Sequence, residues 1–325
     1  MASQISSSVP AISVIMPSYN TAHLIAASLD SVFQQTFSNF EVMLVNDGSP
    51  DTVALEKVLV PYLEQHGDKI IYIRQENKRA AGARNTAILR ARGEYLAFLD
   101  SDDLWLPDHL ASQMKLFEQN PQADLVYCNG LSAGNPNLAG EFMKRCPSNG
   151  PADFRALVVE RCQIPVSTVV ARKTALVRAG LFDETLSRCD DYDMWLRAAF
   201  YGAVIAYSNK VQARLNGGRP GSLGASRARM AEAYWNILEK TAQTLPLSSS
   251  DRNLVEERVA EIRALYNLEE GKFCLQQNEF DRAKSFLRDA NKYFHRAKLS
   301  FVLFGLAVAP RATSRIVSLM DGIRG

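Results

Sequence analysis

The sequence predicts an α/β fold, a mostly parallel, doubly wound sheet with flanking helices, followed by an all-helical C-terminal region. Three observations carry that expectation. Short β-branched runs alternate with helix-periodic stretches from residue 11 to about 128, polar clusters follow the runs where ligands of such sheets bind, and beyond residue 226 only helical periodicity is left. A chain of 325 residues has room for about two domains at roughly 150 residues each.

The predicted strands are 12–16, 41–45, 70–73, 95–99 and 125–128. Between the first two, Ile25, Leu29, Val32 and Phe33 recur at the spacing of one helix face. Ser49 as cap and Pro50 as first helical residue predict a strand-to-helix turn after the second strand. The Asn- and Gly-rich stretch 129–150 is read as a long loop bordering the site. A second α/β portion over 151–207 has a strand at 167–171 and a helix over 190–201 closed by Gly202. Past the Gly/Pro/Ser-rich segment 216–226 the helical region begins. There Gly271, Ala283, Leu287 and Ala290 fall at the spacing of a tetratricopeptide-like hairpin near 264–297, and an ordinary αα-hairpin fits them as well.

Composition narrows the function classes. A hydrophobic fraction of 47% with 22% charged residues excludes disordered, collagenous and coiled-coil chains. Net charge is +2, from 37 cations against 35 carboxylates, so no nucleic-acid partner is expected. Five cysteines without Cys-x-x-Cys spacing suggest neither zinc nor a disulfide scaffold, and the polar tail 1–10 lacks the basic and apolar regions of a leader. A cytoplasmic location is expected, with peripheral contact at the inner face of a membrane held open. Missing too are the Gly-x-x-x-x-Gly-Lys phosphate loop, a Gly-x-Gly-x-x-Gly turn, His-Glu-x-x-His and Gly-x-Ser-x-Gly.

The polar strand ends hold the candidate chemistry. Asp100, Asp102 and Asp103 close an apolar strand, a set of hard oxygen donors suited to Mg2+ or Mn2+ beside a diphosphate, or equally a strand end plus a cap for the helix that Pro107 opens. Asp47 either bonds a base or ribose or simply forms its turn. Arg79 and Arg84 near a helix N-terminus oppose its dipole, which a bound anion would relieve, although a solvated face explains them too. Asp190, Asp191 and Asp193 open a helix, either as favourable first-turn charges or with one carboxylate serving as general base.

Taken in order, Val14-Ile15-Met16-Pro17-Ser18-Tyr19-Asn20, Val45-Asn46-Asp47-Gly48-Ser49, Ala83-Arg84-Asn85, Gly93-Glu94-Tyr95 through Leu99-Asp100-Ser101-Asp102-Asp103, and Asp190-Asp191-Tyr192-Asp193-Met194-Trp195 resemble the family 2 glycosyltransferases over about residues 11–220. The resemblance implies a GT-A fold, with 11–128 as nucleotide-sugar donor half and 129–220 as acceptor half. It implies inverting transfer of a single sugar from a nucleotide diphosphate donor, a UDP-sugar first of all, to a hydroxyl on a glycan, lipid-linked or protein acceptor. By position, Pro17, Ser18, Tyr19 and Asp47 would hold the nucleoside, Arg84 would lie near base and phosphates, and Asp100 on the ribose side. Asp102 would bind Mn2+ or Mg2+, and Asp191 would be the base. Asn20, Arg79, Asp103 and Asp190 would support them.

Three positions depart from the family pattern. Asp190 stands where Glu is frequent, Arg79 where Gly is usual, and Asn216 is nearest to where a His often falls. The Gln-x-x-Arg-Trp motif and spanning helices of processive synthases are missing. The alternative is an inactive nucleotide-sugar-binding scaffold whose helical tail recruits a protein partner. Residues 298–315, apolar and then basic, are compatible with a membrane surface, or with a helix packed on the hairpin.

Overall fold

The computed structural model describes residues 9–133, 139–217 and 227–314. Most of the tail 1–10, the middle of the loop 129–150, most of the segment 216–226 and everything beyond residue 314 lie outside the described residues. The chain divides into two compact units, 1–225 and 226–325.

In the first unit the elements follow as β1 (Ile12–Ser18), α1 (Ile25–Phe33), β2 (Phe40–Asp47), α2 (Thr52–His66), β3 (Ile70–Gln75), α3 (Arg79–Arg90), β4 (Tyr95–Phe98), β5 (Leu104–Trp105), α4 (His109–Gln119) and β6 (Leu125–Ser132). Then come β7 (Gly140–Glu141), α5 (Phe142–Arg145), α6 (Phe154–Val158), β8 (Val169–Arg172), α7 (Lys173–Arg178), α8 (Asp190–Phe200) and β9 (Ile205–Leu215). One sheet runs β3-β2-β1-β4-β8-β6-β9-β5, with β7 on β6. The stretch β3-β2-β1-β4 is parallel, and helices cover both faces of such sheets, which is why β1 and β2 read as near-continuous apolar runs and are buried. Beyond β4 the sheet is mixed: β8 runs antiparallel to both β4 and β6, β9 parallel to β6, and β5 antiparallel to β9.

The expected face of α1 is turned inward, with Ile25, Leu29 and Val32 wholly buried among Ile12, Val14, Val42 and Leu44. Phe98 of β4, Phe182 and Trp195 of α8 pack edge-to-face with centroids 5.6–6.0 Å apart. Edge-to-face packing matches the positive ring edges to negative faces and fixes α8 against the sheet. The strand expected at 167–171 is displaced. Residues Val166–Thr168 form a 3-10 turn after Pro165, and the strand starts at Val169.

The second unit is helical: α9 (Arg227–Thr244), α10 (Ser249–Gln276), α11 (Phe280–Phe294) and α12 (Ala297–Val308). α10 and α11 form an antiparallel hairpin through the left-handed Asn278 (φ +61°), and a Cβ at Gly271 would lie 2.6 Å from Leu287, so a small residue is needed there. Ala283, Leu287 and Ala290 are buried on the facing side. Among the described residues no helix is long and apolar enough to cross a membrane.

Candidate active site

The carboxyl ends of β1, β2 and β4 converge, and hydrogen bonds stitch their loops together. Ser18 is buried, its Oγ 3.0 Å from Thr21 Oγ1, which in turn is 2.9 Å from Ser101 Oγ. Tyr19 is exposed, and Asn20 takes a left-handed φ of +55° while its N–H donates to Ser49 Oγ at 2.6 Å. Ser49 is therefore not the cap of α2. Its hydroxyl donates to Asp51, which occupies the cap position, and α2 begins at Thr52 rather than Pro50. Asp51 also accepts the Ala22 N–H, so this carboxylate joins the loops after β1 and β2.

Asp47 is 2% exposed, and its Oδ1 accepts from Gln75 Nε2 at 2.6 Å and from the Lys78 N–H at 2.8 Å. It anchors the entrance to α3. Gly48 follows at φ +64°, where a Cβ would sit 2.7 Å from Asn77 N. Arg79 is exposed and also left-handed (φ +63°), the region where glycine costs least, which gives a physical reason for a glycine preference at this position.

Asp100, Asp102 and Asp103 bring carboxylate oxygens within 4.8 Å of one another. Three hard oxygen donors this close fit a Mg2+ or Mn2+ ion, and no cap explains them: β5 intervenes, and α4 starts at His109 with Asp108 before it. The loop is pinned from behind. Ser28 Oγ donates to the Asp103 carbonyl, Ser167 Oγ accepts the Asp100 N–H, and Asn216 donates its N–H to Asp103 Oδ1 at 2.7 Å and its Nδ2 to the Asp102 carbonyl at 2.6 Å. Burial, then the charges of Asp102 and Asp100, push the Asp103 carboxyl well above the usual carboxylate range.

Arg84 joins this loop to α8. It is only 4% exposed; Nη2 lies 2.6 Å from Asp100 Oδ1 and Nη1 2.5 Å from Asp190 Oδ2. Burial opposes the guanidinium charge, but Asp100, Asp190 and Asp191 outweigh it and hold the group firmly protonated. The anion expected beside this arginine is thus supplied by the protein's own carboxylates, and Arg84 stands beneath the acidic loop. Its neighbour Asn85 is structural, bonded to both the N–H and the carbonyl of Phe182.

Asp190 is buried, whereas Asp191 is half-buried and accepts the Tyr192 N–H at 2.9 Å. Burial and then the Asp190 charge raise the Asp191 carboxyl to about 7, against the opposing pull of Arg84. A carboxylate so tuned exchanges protons near neutral pH, as a general base must. Asp193 turns away to Arg197 Nη2 at 2.6 Å.

Sequence reading missed Ser167, Thr21, Gln75 and Asn77. Ser167 is instructive, because β8 is antiparallel to β4 and so delivers its N-terminal end to the carboxyl end of β4. A rule that looks only after strands passes it over. Pro165 just before a β-branched run was the available signal.

Comparison with known proteins agrees with this geometry. The profile described as Glycosyl transferase family 2 matches residues 13–164, and Glycosyl transferase family group 2 matches residues 95–316. This chain belongs to the family 2 glycosyltransferases. An uncharacterized glycosyltransferase of Rickettsia typhi is 28% identical over 70% of this chain and 71% of its own length. The UDP-Glc:alpha-D-GlcNAc-diphosphoundecaprenol beta-1,3-glucosyltransferase WfgD of Escherichia coli is 35% identical over 57% of this chain and 68% of its own. Among solved structures, S. aureus TarS 1–349 in complex with UDP-GlcNAc matches with a TM-score of 0.63 at 19% identity, covering 96% of this chain and 92% of that one. The mannosyltransferase PcManGT from Pyrobaculum calidifontis, in complex with GDP-Man and Mn2+, matches at 0.64 and 20%, over 97% and 88%. At such identities these two likenesses show the GT-A fold. As a family 2 glycosyltransferase the chain transfers a sugar from a nucleotide sugar.

Proposed function

We propose that this glycosyltransferase is inverting and metal-dependent, and moves a single sugar from a UDP-sugar to a hydroxyl of a lipid-linked acceptor. The observation that carries the reading is the continuous link from the acidic loop, Asp100, through Arg84 to Asp190, next to which Asp191 feels the charges of both Arg84 and Asp100. The named WfgD relative acts on a diphosphoundecaprenol-linked sugar with UDP-Glc, which favours a UDP donor and a lipid-linked acceptor over the glycan and protein classes. No disulfide joins any of the five cysteines, in keeping with a cytoplasmic location.

Tyr19, exposed at the end of β1, offers a ring face to a base, and Pro17 with the Asp47 turn shapes the nucleoside side. Asp102, with Asp100 and Asp103 beside it, would hold the Mn2+ or Mg2+, whose chemistry is to stabilise negative charge on a departing diphosphate. The Asp191 carboxylate takes the proton of the acceptor hydroxyl. As that oxygen bonds to the anomeric carbon from the face opposite the diphosphate, the carbon–diphosphate bond breaks and the configuration inverts. Asp190 and Arg84 hold the first turn of α8 so that Asp191 keeps its place.

Calorimetric titration of UDP with and without Mn2+, on the wild type and on Asp102→Ala, tests the donor site. Binding that requires Mn2+ and is lost in the variant is expected. Equal affinity without the metal, or in the variant, overturns metal dependence, and failure of any nucleoside diphosphate to bind overturns the donor assignment.

A further inference from the structure

α12 is apolar on two sides. Leu299, Val302, Leu303 and Leu306 pack on Leu268, Leu275, Phe280, Phe286 and Leu287 of the hairpin. The other side bears Phe301, Phe304 and Val308, at 76%, 70% and 69% exposure. Their spacing of three and four residues draws one stripe along the helix. Scattered exposed apolar residues are ordinary, but two phenylalanines and a valine aligned on one helix face form a contact surface. Among the described residues the chain after α12 leaves this face open: residues 310–314 return along the Gly305 side, where Thr313 lies too close to admit a Cβ, and Ser314 Oγ donates to the Leu275 carbonyl.

Charge identifies the occupant. From residue 290 to 314 the chain carries Lys292, Arg296, Lys298 and Arg311 and not one carboxylate. Arg296 and Lys298 stand at one end of the stripe and Arg311 just past the other, all exposed. A second copy seated on the stripe would bring like charges together. An anionic lipid surface instead accepts the phenylalanines among its acyl chains and the cations among its headgroups. We propose that the Phe301–Phe304–Val308 face of α12, with Arg296, Lys298 and Arg311 at its ends, seats this protein on an anionic membrane leaflet. The proposal goes beyond the donor chemistry and does not depend on it, so failure to transfer sugar leaves it standing.

Co-sedimentation of the full chain with phosphatidylcholine vesicles, with and without phosphatidylglycerol, is the test. Binding to the anionic vesicles alone, weakened by salt, is expected, and Phe301→Ser with Phe304→Ser should lower it by about tenfold or more because binding scales with buried apolar area. Unchanged thermal unfolding of that double variant, whose side chains face solvent, establishes that the loss is not unfolding. Lys298→Glu with Arg311→Glu should lower binding while leaving both phenylalanines in place. Equal binding of the variants, no binding to anionic vesicles, or a wild-type dimer that the phenylalanine variant dissociates would each overturn the proposal.

Discussion

Replacing Arg84 by methionine removes the cation that two elements share. The side chain is 4% exposed and holds Asp100 at 2.6 Å and Asp190 at 2.5 Å, so the substitution strands the buried Asp190 carboxylate, while Asp100, about one-third exposed, is left to water. Breaking a buried pair by deleting one partner costs about 3–5 kcal/mol. In a unit of this size, about 2–4 °C of melting temperature goes with each kcal/mol, so a drop of roughly 6–20 °C is expected at about pH 8. The drop depends on pH in a definite sense. The Asp191 carboxyl already lies above its ordinary value, and Arg84 is the group that pulls it down; without the cation it rises further. A carboxyl raised in the folded state stabilises below its unfolded value and loses that as pH climbs through the folded one, so the deficit is largest near pH 8 and shrinks toward about pH 5.5. Differential scanning calorimetry at both pH values, with transfer rate followed across pH, measures it. The half-maximal rate should move to higher pH than in the wild type. A loss below about 2 °C, or one equal at both pH values, would refute the idea that Arg84 neutralises this cluster.

Asp191→Asn should reduce kcat by about a thousandfold, within the range for loss of a general base, and leave the donor KM nearly unchanged; steady-state kinetics with a UDP-sugar checks this. In the wild type, kcat should climb with pH and level off above about 7, the value to which the Asp191 carboxyl is raised. His109 is wholly buried, stacked on Trp105 at 4.4 Å, and burial lowers it to about 3, so below about pH 6.5 the unfolded chain takes a proton that the fold refuses. Taken alone, His109 therefore removes about 1.4 kcal/mol of stability per pH unit on acidification below about 6.5, against the raised Asp191 and Asp103 carboxyls, so His109→Phe should gain stability on wild type by about that slope between about pH 6.5 and 4.5 in urea titrations. Gly48→Ala should cost about 2 kcal/mol or more by thermal unfolding, since alanine at φ +64° is strained and its Cβ meets Asn77 N at 2.7 Å.

Much of the fold and site was legible because both faces of β1 and β2 are buried, and such strands show as apolar runs ending sharply in polar loops. Pro17 to Asn20, Asp47 and the three aspartates could be placed from that alone. β9 escaped notice for the opposite reason. Its exposure alternates irregularly, and its register against β6 shifts on either side of Asn129, so Asn209 and Lys210 fall where an apolar residue would have marked a strand. β5, two residues long, carries no period at all. The role of Arg84 was illegible because its partner Asp190 lies 106 residues away, a separation at which spacing says nothing. Asn216 stood out only as a departure, and its grip on Asp102 and Asp103 depends on β9 returning beside β5.

The position of β8 also bears on how the chain is made. In the finished sheet β4 has β1 on one edge and β8 on the other, yet β8 is translated long after it, behind β5, α4 and β6. A nascent chain that has not yet released Val169–Arg172 carries Tyr95, Leu96 and Ala97 along an unpaired backbone edge, a template for pairing with other chains. A fragment ending near residue 128 would keep that edge for good. Residues 11–128 are contiguous in sequence but not self-sufficient in hydrogen bonds, so expression of this segment alone should yield aggregates, and shielding by a chaperone is most needed in the interval between translation of residue 98 and residue 169.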